Sequence, residues 1–134
     1  MNRASVISGV IMIILAIILG AFGAHALKER LEPEQLQSFE VGVKYQVYHG
    51  LALLILGMSS HKISFSIQAS KVLIILGVVF FSGSIYLLSI QDIIGVKLSF
   101  LGPITPIGGL LLITAWVVFL INVLRMNNEK DSLS

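Results

Sequence analysis

The chain has 134 residues, 56% of them hydrophobic and only 12% charged, and its formal net charge is +2. A soluble domain carries about 25% charged residues, so this composition leaves too little polar surface to cover a globule in water. The small charge, without a long basic run, argues against nucleic-acid binding, and the absence of cysteine excludes disulfides, thiolate metal sites and cysteine nucleophiles.

Between Arg3 and Lys28 no residue is formally charged, and residues 6–19 are almost wholly aliphatic. Strongly apolar residues contribute roughly −0.3 to −0.6 kcal/mol each to insertion, so this stretch carries a first span over residues 5–27, closed by His25. Arg3, the apolar region and Ala24-His25-Ala26 also have the form of a cleaved signal peptide. The length of the run and the small-residue stripe Ala16, Gly20, Ala24, suited to helix packing, favour a retained helix.

Glu32-Pro33-Glu34 reads as a helix start, because proline suits the first turn and acids suit its dipole. Leu36, Phe39, Val43 and Val47 follow at helical spacing, opposite Gln35, Gln37, Ser38 and Glu40. This predicts an amphipathic interfacial helix that runs into span two, with Gly42 permitting a bend and the apolar stripe turned to lipid. Span two, residues 43–60, is the weakest, since it contains Gln46 and His49, and Lys44 has to snorkel to the headgroups. Tyr45 and Tyr48 fit an aromatic belt.

Span three covers residues 71–90, with Ser82, Gly83, Ser84 and Thr114 of the next span expected at close helix contacts. Pro103, Thr105, Pro106, Gly108 and Gly109 introduce span four, residues 103–124. Thr105 is placed to cap a helix whose first residue is Pro106, a reading preferred to a solute-holding helix break. Trp116 reads as a packing or belt residue. The apolar runs lack the period of two that a membrane barrel needs. The expected fold is therefore all-α: one integral membrane domain, residues 1–134, of four transmembrane helices in a compact bundle. Counting Lys and Arg with the N-terminus inside gives Arg3, Lys62, Lys71, Arg125 and Lys130 against Lys28, Arg30, Lys44 and Lys97. The balance leans to both termini being cytoplasmic.

Four blocks then stand out in order: Gly20-Ala21-Phe22-Gly23-Ala24-His25-Ala26-Leu27, Tyr45-Gln46-Val47-Tyr48-His49-Gly50-Leu51-Ala52-Leu53, Phe81-Ser82-Gly83-Ser84-Ile85-Tyr86-Leu87, and Thr105-Pro106-Ile107-Gly108-Gly109 followed by Trp116. Together they resemble the YgdD/YwdK family of small bacterial inner-membrane proteins of unknown function, which has a small eukaryotic transmembrane relative. The resemblance covers nearly the whole chain. It implies four spans in the bacterial plasma membrane and an uncleaved first helix, and it implies no activity.

His25, His49, Tyr45 and Gln46 form the candidate polar site. If spans one and two are antiparallel neighbours, both histidines are expected on the same side of the membrane at similar depth. Intramembrane ionisable groups are costly and often functional, and histidine relays protons or binds metal. Two histidines do not complete a zinc site, and axial haem ligation has no second support. Structural pairing is the preferred reading, ahead of proton or solute handling, then metal or haem. No nucleotide loop, nucleophile elbow or metalloprotease helix is present, so no enzyme, cofactor or bound metal is expected. The expected function is a non-catalytic scaffold or partner-binding bundle, with a small oligomeric transporter or channel as the alternative. Its partners are the lipid bilayer and a second copy or another membrane protein.

Overall fold

The structure, a computed structural model, describes the backbone of residues 1–133 and the side chains of residues 1–126. Four long helices run α1 Arg3–Phe22, α2 Pro33–Ser59, α3 Gln68–Ile94 and α4 Ile104–Leu133. A π-helical turn, Gly23–Leu27, continues α1, and short 3₁₀ turns Ser60–Lys62 and Ser99–Leu101 precede α3 and α4. Each of the four is long and apolar enough to cross a bilayer, and α2 is the least apolar of them. Large side chains such as Ile7, Ile14 and Ile17 on α1 and Leu110, Ile113 and Leu120 on α4 are exposed. A band of that extent on both flanks is a surface solvated by acyl chains.

The helices alternate in direction, so both ends of the described chain lie on one side, with Arg3, Lys62, Lys71 and Arg125. Lys130 falls outside the described side chains. α1 packs mainly on α2 and α4 mainly on α3, while α2 and α3 join the two pairs. Accordingly, 39% of the most apolar window of α2 and of α3 is buried, against 22% for α1 and 17% for α4. Met12, Leu53, Ile74, Val78, Leu112 and Ala115 form the main core.

The tightest contacts occur where glycine removes the side chain from a crossing. A Cβ on Gly9 would meet Gly50 O at 2.6 Å and Leu54 N at 2.7 Å. One on Gly57 would meet Val6 N at 2.8 Å, and one on Gly108 would collide with the backbone of Phe80 and Phe81. The contact stripe on α1 is thus Gly9, Ala16 and Gly23, spaced by seven, and Gly50 with Gly57 repeats that spacing on α2. Seven-residue spacing keeps one seam facing a neighbour along helices that supercoil left-handedly. Of the expected stripe, Ala16 is buried and Gly20 approaches Val43, but Ala24 is exposed, one residue round the helix from Gly23, which holds the seam position.

Three further expectations need correction. The amphipathic segment starts at Glu32 with a capping box to Gln35 and Pro33 in the first turn, and it runs into span two as expected, as one helix α2 continuous through Gly42; what changes is what its apolar face meets. Its apolar stripe is covered by protein. Phe39 is 2% exposed and lies against Gly23 and Tyr86, with Leu36 and Val43 packed on the same cluster as Leu27 and Leu31. The glycine opens the hole that receives the ring, so the stripe meets the bundle before it meets lipid. α4 starts at Ile104, ahead of Thr105, whose hydroxyl lies 2.6 Å from Ser84 Oγ instead of capping the helix. Ser82 and Ser84 do make close helix contacts. Gly83 has nothing within 4 Å of a built Cβ, and Thr114 bonds back to Leu110 O of its own helix at 2.7 Å.

Candidate functional site

Gln46 sits at the centre of the bundle, 5% exposed, where α1, α2 and α3 meet. Its Nε2 donates to Met12 O of α1 at 2.9 Å, and its Oε1 accepts from Tyr86 Oη of α3 at 2.7 Å. The carbonyl of Met12 only accepts, so it dictates which way the amide points. Tyr86 reaches Gln46 because a helical side chain leans toward its own N-terminus, which carries the ring past Gly42, where a Cβ would stand 2.8 Å from Tyr86 Cε1.

His49, three residues on, turns to the other flank of α2. Trp116 Nε1 of α4 donates to His49 Nε2 at 3.0 Å, and His49 Nδ1 lies 2.8 Å from Tyr45 O. An indole N–H has no acceptor role, so Nε2 must present its lone pair and Nδ1 must carry the proton. His49 is therefore a neutral imidazole with both ring nitrogens engaged. A metal or haem iron could take Nε2 only by displacing Trp116. Nitrogen NMR of ¹⁵N-histidine-labelled protein in nanodiscs is expected to show a protonated Nδ1 and a hydrogen-bonded, unprotonated Nε2 for His49. The opposite tautomer would contradict the Trp116 contact.

The other buried hydroxyls follow the same pattern. Ser5 Oγ donates to Leu53 O at 2.8 Å, Ser82 Oγ to Gly42 O at 2.7 Å, and Ser70 Oγ to Ala115 O at 3.2 Å. Each ties one helix to the backbone of the next, which is how polar side chains hold helices together where lipid offers no hydrophobic drive. Among the described residues no fully enclosed side-chain nitrogen or oxygen lacks a partner.

The four candidate polar residues are thus divided. Gln46 belongs to the α1–α2–α3 junction, His49 and Tyr45 face α3 and α4, and the Tyr45 ring packs against Phe81 at a tilt of 57° with centroids 4.9 Å apart. His25 is exposed on the π-turn, beside a cavity lined by Phe22, Glu29, Arg30, Ile90 and Ile94. The expected equal depth of the two histidines does not hold. Gly50 lies against Gly9 and Met12, so His49 is level with the middle of α1, and His25 lies roughly 20 Å further along that helix at 1.5 Å per residue. The antiparallel register pairs residues whose numbers sum to about 60, as Met12 with Gln46 and Gly23 with Phe39 show. Among the described residues no three His, Asp or Glu side chains converge as a metal site.

Of the turn at the start of span four, Gly108 forms the crossing with α3, and Thr105 and Gly109 line cavities between α2, α3 and α4. Tyr86 and Trp116, which complete the polar contacts, were not among the sequence candidates. One signal for Tyr86 was its position within a block that already held Ser82 and Ser84.

A family model described as a protein of unknown function (DUF423) matches residues 19–109. The UPF0382 membrane protein of Staphylococcus haemolyticus is 41% identical over 120 residues, covering 90% of this chain and 94% of its own. The UPF0382 membrane protein of Staphylococcus saprophyticus is 38% identical, covering 92% and 99%. The UPF0382 membrane protein YwdK of Bacillus subtilis is 38% identical, covering 92% and 98%. No solved structure matches.

Proposed function

We propose, on the premise that the chain belongs to the DUF423 family and is a relative of the UPF0382 membrane proteins, that it acts as a non-catalytic helical bundle that assembles with or stabilises other membrane components. The observation that carries this reading is the use made of Gln46. An amide in mid-membrane is costly, and here both its ends are spent on neighbouring helices. His49 is saturated in the same way by Trp116 and Tyr45 O. Groups that move solutes or protons need a free valence toward a path, and these two have theirs occupied by the bundle.

The competing transport reading is separated by proteoliposomes reporting pH-gradient decay. Wild-type protein and His49→Ala are both expected to match protein-free vesicles. A wild-type flux abolished in His49→Ala would overturn the scaffold reading.

A further inference from the structure

A slot opens between α2 and α4, which run parallel without close backbone contact, and α3 forms its floor. At the end where α2 and α4 begin it is a cavity of about 370 Å³ lined by Ser38, Val41, Ile85, Leu88, Ser89 and Thr105. Deeper lies a second cavity of about 420 Å³, lined by Tyr45, His49, Phe81, Gly109, Ile113 and Trp116. The lining positions advance by three or four on every wall, 38, 41, 45 and 49 on α2, 81, 85 and 88 on α3, 105, 109, 113 and 116 on α4. Residues so spaced share one helix face, so the two cavities follow one another along the same faces of α2, α3 and α4. From Ser38 to His49 the slot extends about 17 Å at 1.5 Å per residue, and the Trp116–His49 hydrogen bond closes it.

Polarity along the slot is graded. The hydroxyls stand at its outer end, and below Val41 and Ile85 the walls are aromatic and aliphatic down to the His49–Trp116 bridge. At the outer end Thr105 is spent on Ser84, and Gln35 on Asp92. Ser89 is different: the residue is 4% exposed and lines the cavity, and its hydroxyl, open to that cavity and not enclosed by protein, takes part in none of the described side-chain hydrogen bonds. A cavity-facing hydroxyl without a protein partner is free to donate to an acceptor that enters the slot.

We propose that the slot binds one acyl chain of a glycerolipid, with an ester carbonyl oxygen of that lipid accepting from Ser89 Oγ. The length decides between occupants. The hydrocarbon core is about 30 Å thick, so a slot of about 17 Å ending in mid-membrane matches one leaflet. A transmembrane helix of a partner or second copy needs the full thickness, and the His49–Trp116 bridge stands in its way. The site is independent of the scaffold reading and survives if that reading fails.

Gly109 provides the means of testing it. A Cβ there would sit 3.7 Å from Phe81 Cδ2, an ordinary contact, so Gly109→Leu fits against the ring and fills the slot. The probe is phosphatidylglycerol carrying a diazirine midway along one acyl chain, in nanodiscs with full-length protein, and adducts are mapped by mass spectrometry. Labelling of Phe81 and Ile85 is expected several-fold above that of Ile17, which faces open lipid on α1. Gly109→Leu should bring groove labelling to the Ile17 level without changing Ile17. Ser89→Ala should lower it by about two- to tenfold, the worth of one hydrogen bond, and carries the test alone if Gly109→Leu does not fold. Groove labelling equal to that of Ile17 in the wild type means bulk lipid only and overturns the proposal. Labelling below Ile17, together with a dimer mass, assigns the slot to a second copy and also overturns it.

Discussion

Gly108→Ala is expected to lower stability by about 3 kcal/mol, the upper part of the usual range for overpacking, through the addition of one methyl group. The built Cβ collides with the backbone of Phe80 and Phe81, and backbone cannot swing aside as a side chain can. α4 must therefore withdraw from α3 along its length. That withdrawal loosens Gly77 from Leu112, which a built Cβ already meets at 2.6 Å, and strains the Ser70–Ala115 and Trp116–His49 bonds. The chain has a single tryptophan, and it lies on α4, so melting followed by Trp116 emission in detergent reads this interface directly. Gly83→Ala is the matched control: with nothing within 4 Å, it should be neutral, or slightly stabilising through helix propensity. Equal effects of the two substitutions would show that these contacts do not set the α3–α4 distance.

The second large effect belongs to Gln46. Gln46→Leu removes two interhelical hydrogen bonds, each worth about 0.6 to 1.7 kcal/mol in a membrane protein, and leaves the Tyr86 hydroxyl without its acceptor. The total expected loss is about 2–3 kcal/mol, since an orphaned buried hydroxyl adds its own penalty. Tyr86→Phe alone frees one end of the amide and should cost about 1 kcal/mol. In the double variant the orphan disappears with its partner, so its destabilisation should fall short of the sum by about 1 kcal/mol. Strict additivity across the four proteins would mean that Gln46 and Tyr86 act separately and that the junction is not a clamp.

Much of the architecture is legible in the sequence alone. Four spans, the weakness of the second, the start of α2 at Glu32-Pro33 and the family all follow from local composition and ordered blocks. The candidate polar site was legible only as a set of residue types. His49 and Gln46 are conspicuous because amides and imidazoles are rare in a span, but nothing local tells which neighbour each addresses. Composition alone suggests a stripe of small residues at a spacing of four, Ala16, Gly20 and Ala24, whereas the seam runs at seven through Gly9, Ala16 and Gly23. Both spacings are present in the same twenty residues, and only the crossing with Gly50 selects between them.

What the sequence by itself determined, then, is that this chain belongs in lipid and which four segments are long and apolar enough to cross it. The energy of removing backbone and side chains from water depends on each segment alone, so it can be summed from residue types. Depth, register and partnership were decided by the tertiary structure. Whether Phe39 meets lipid or Gly23, whether His49 faces His25 or Trp116, and whether Gly83 or Gly108 carries a crossing depend on how two helices slide and rotate against each other. Those choices are made by contacts between residues tens of positions apart, which no window of the chain contains.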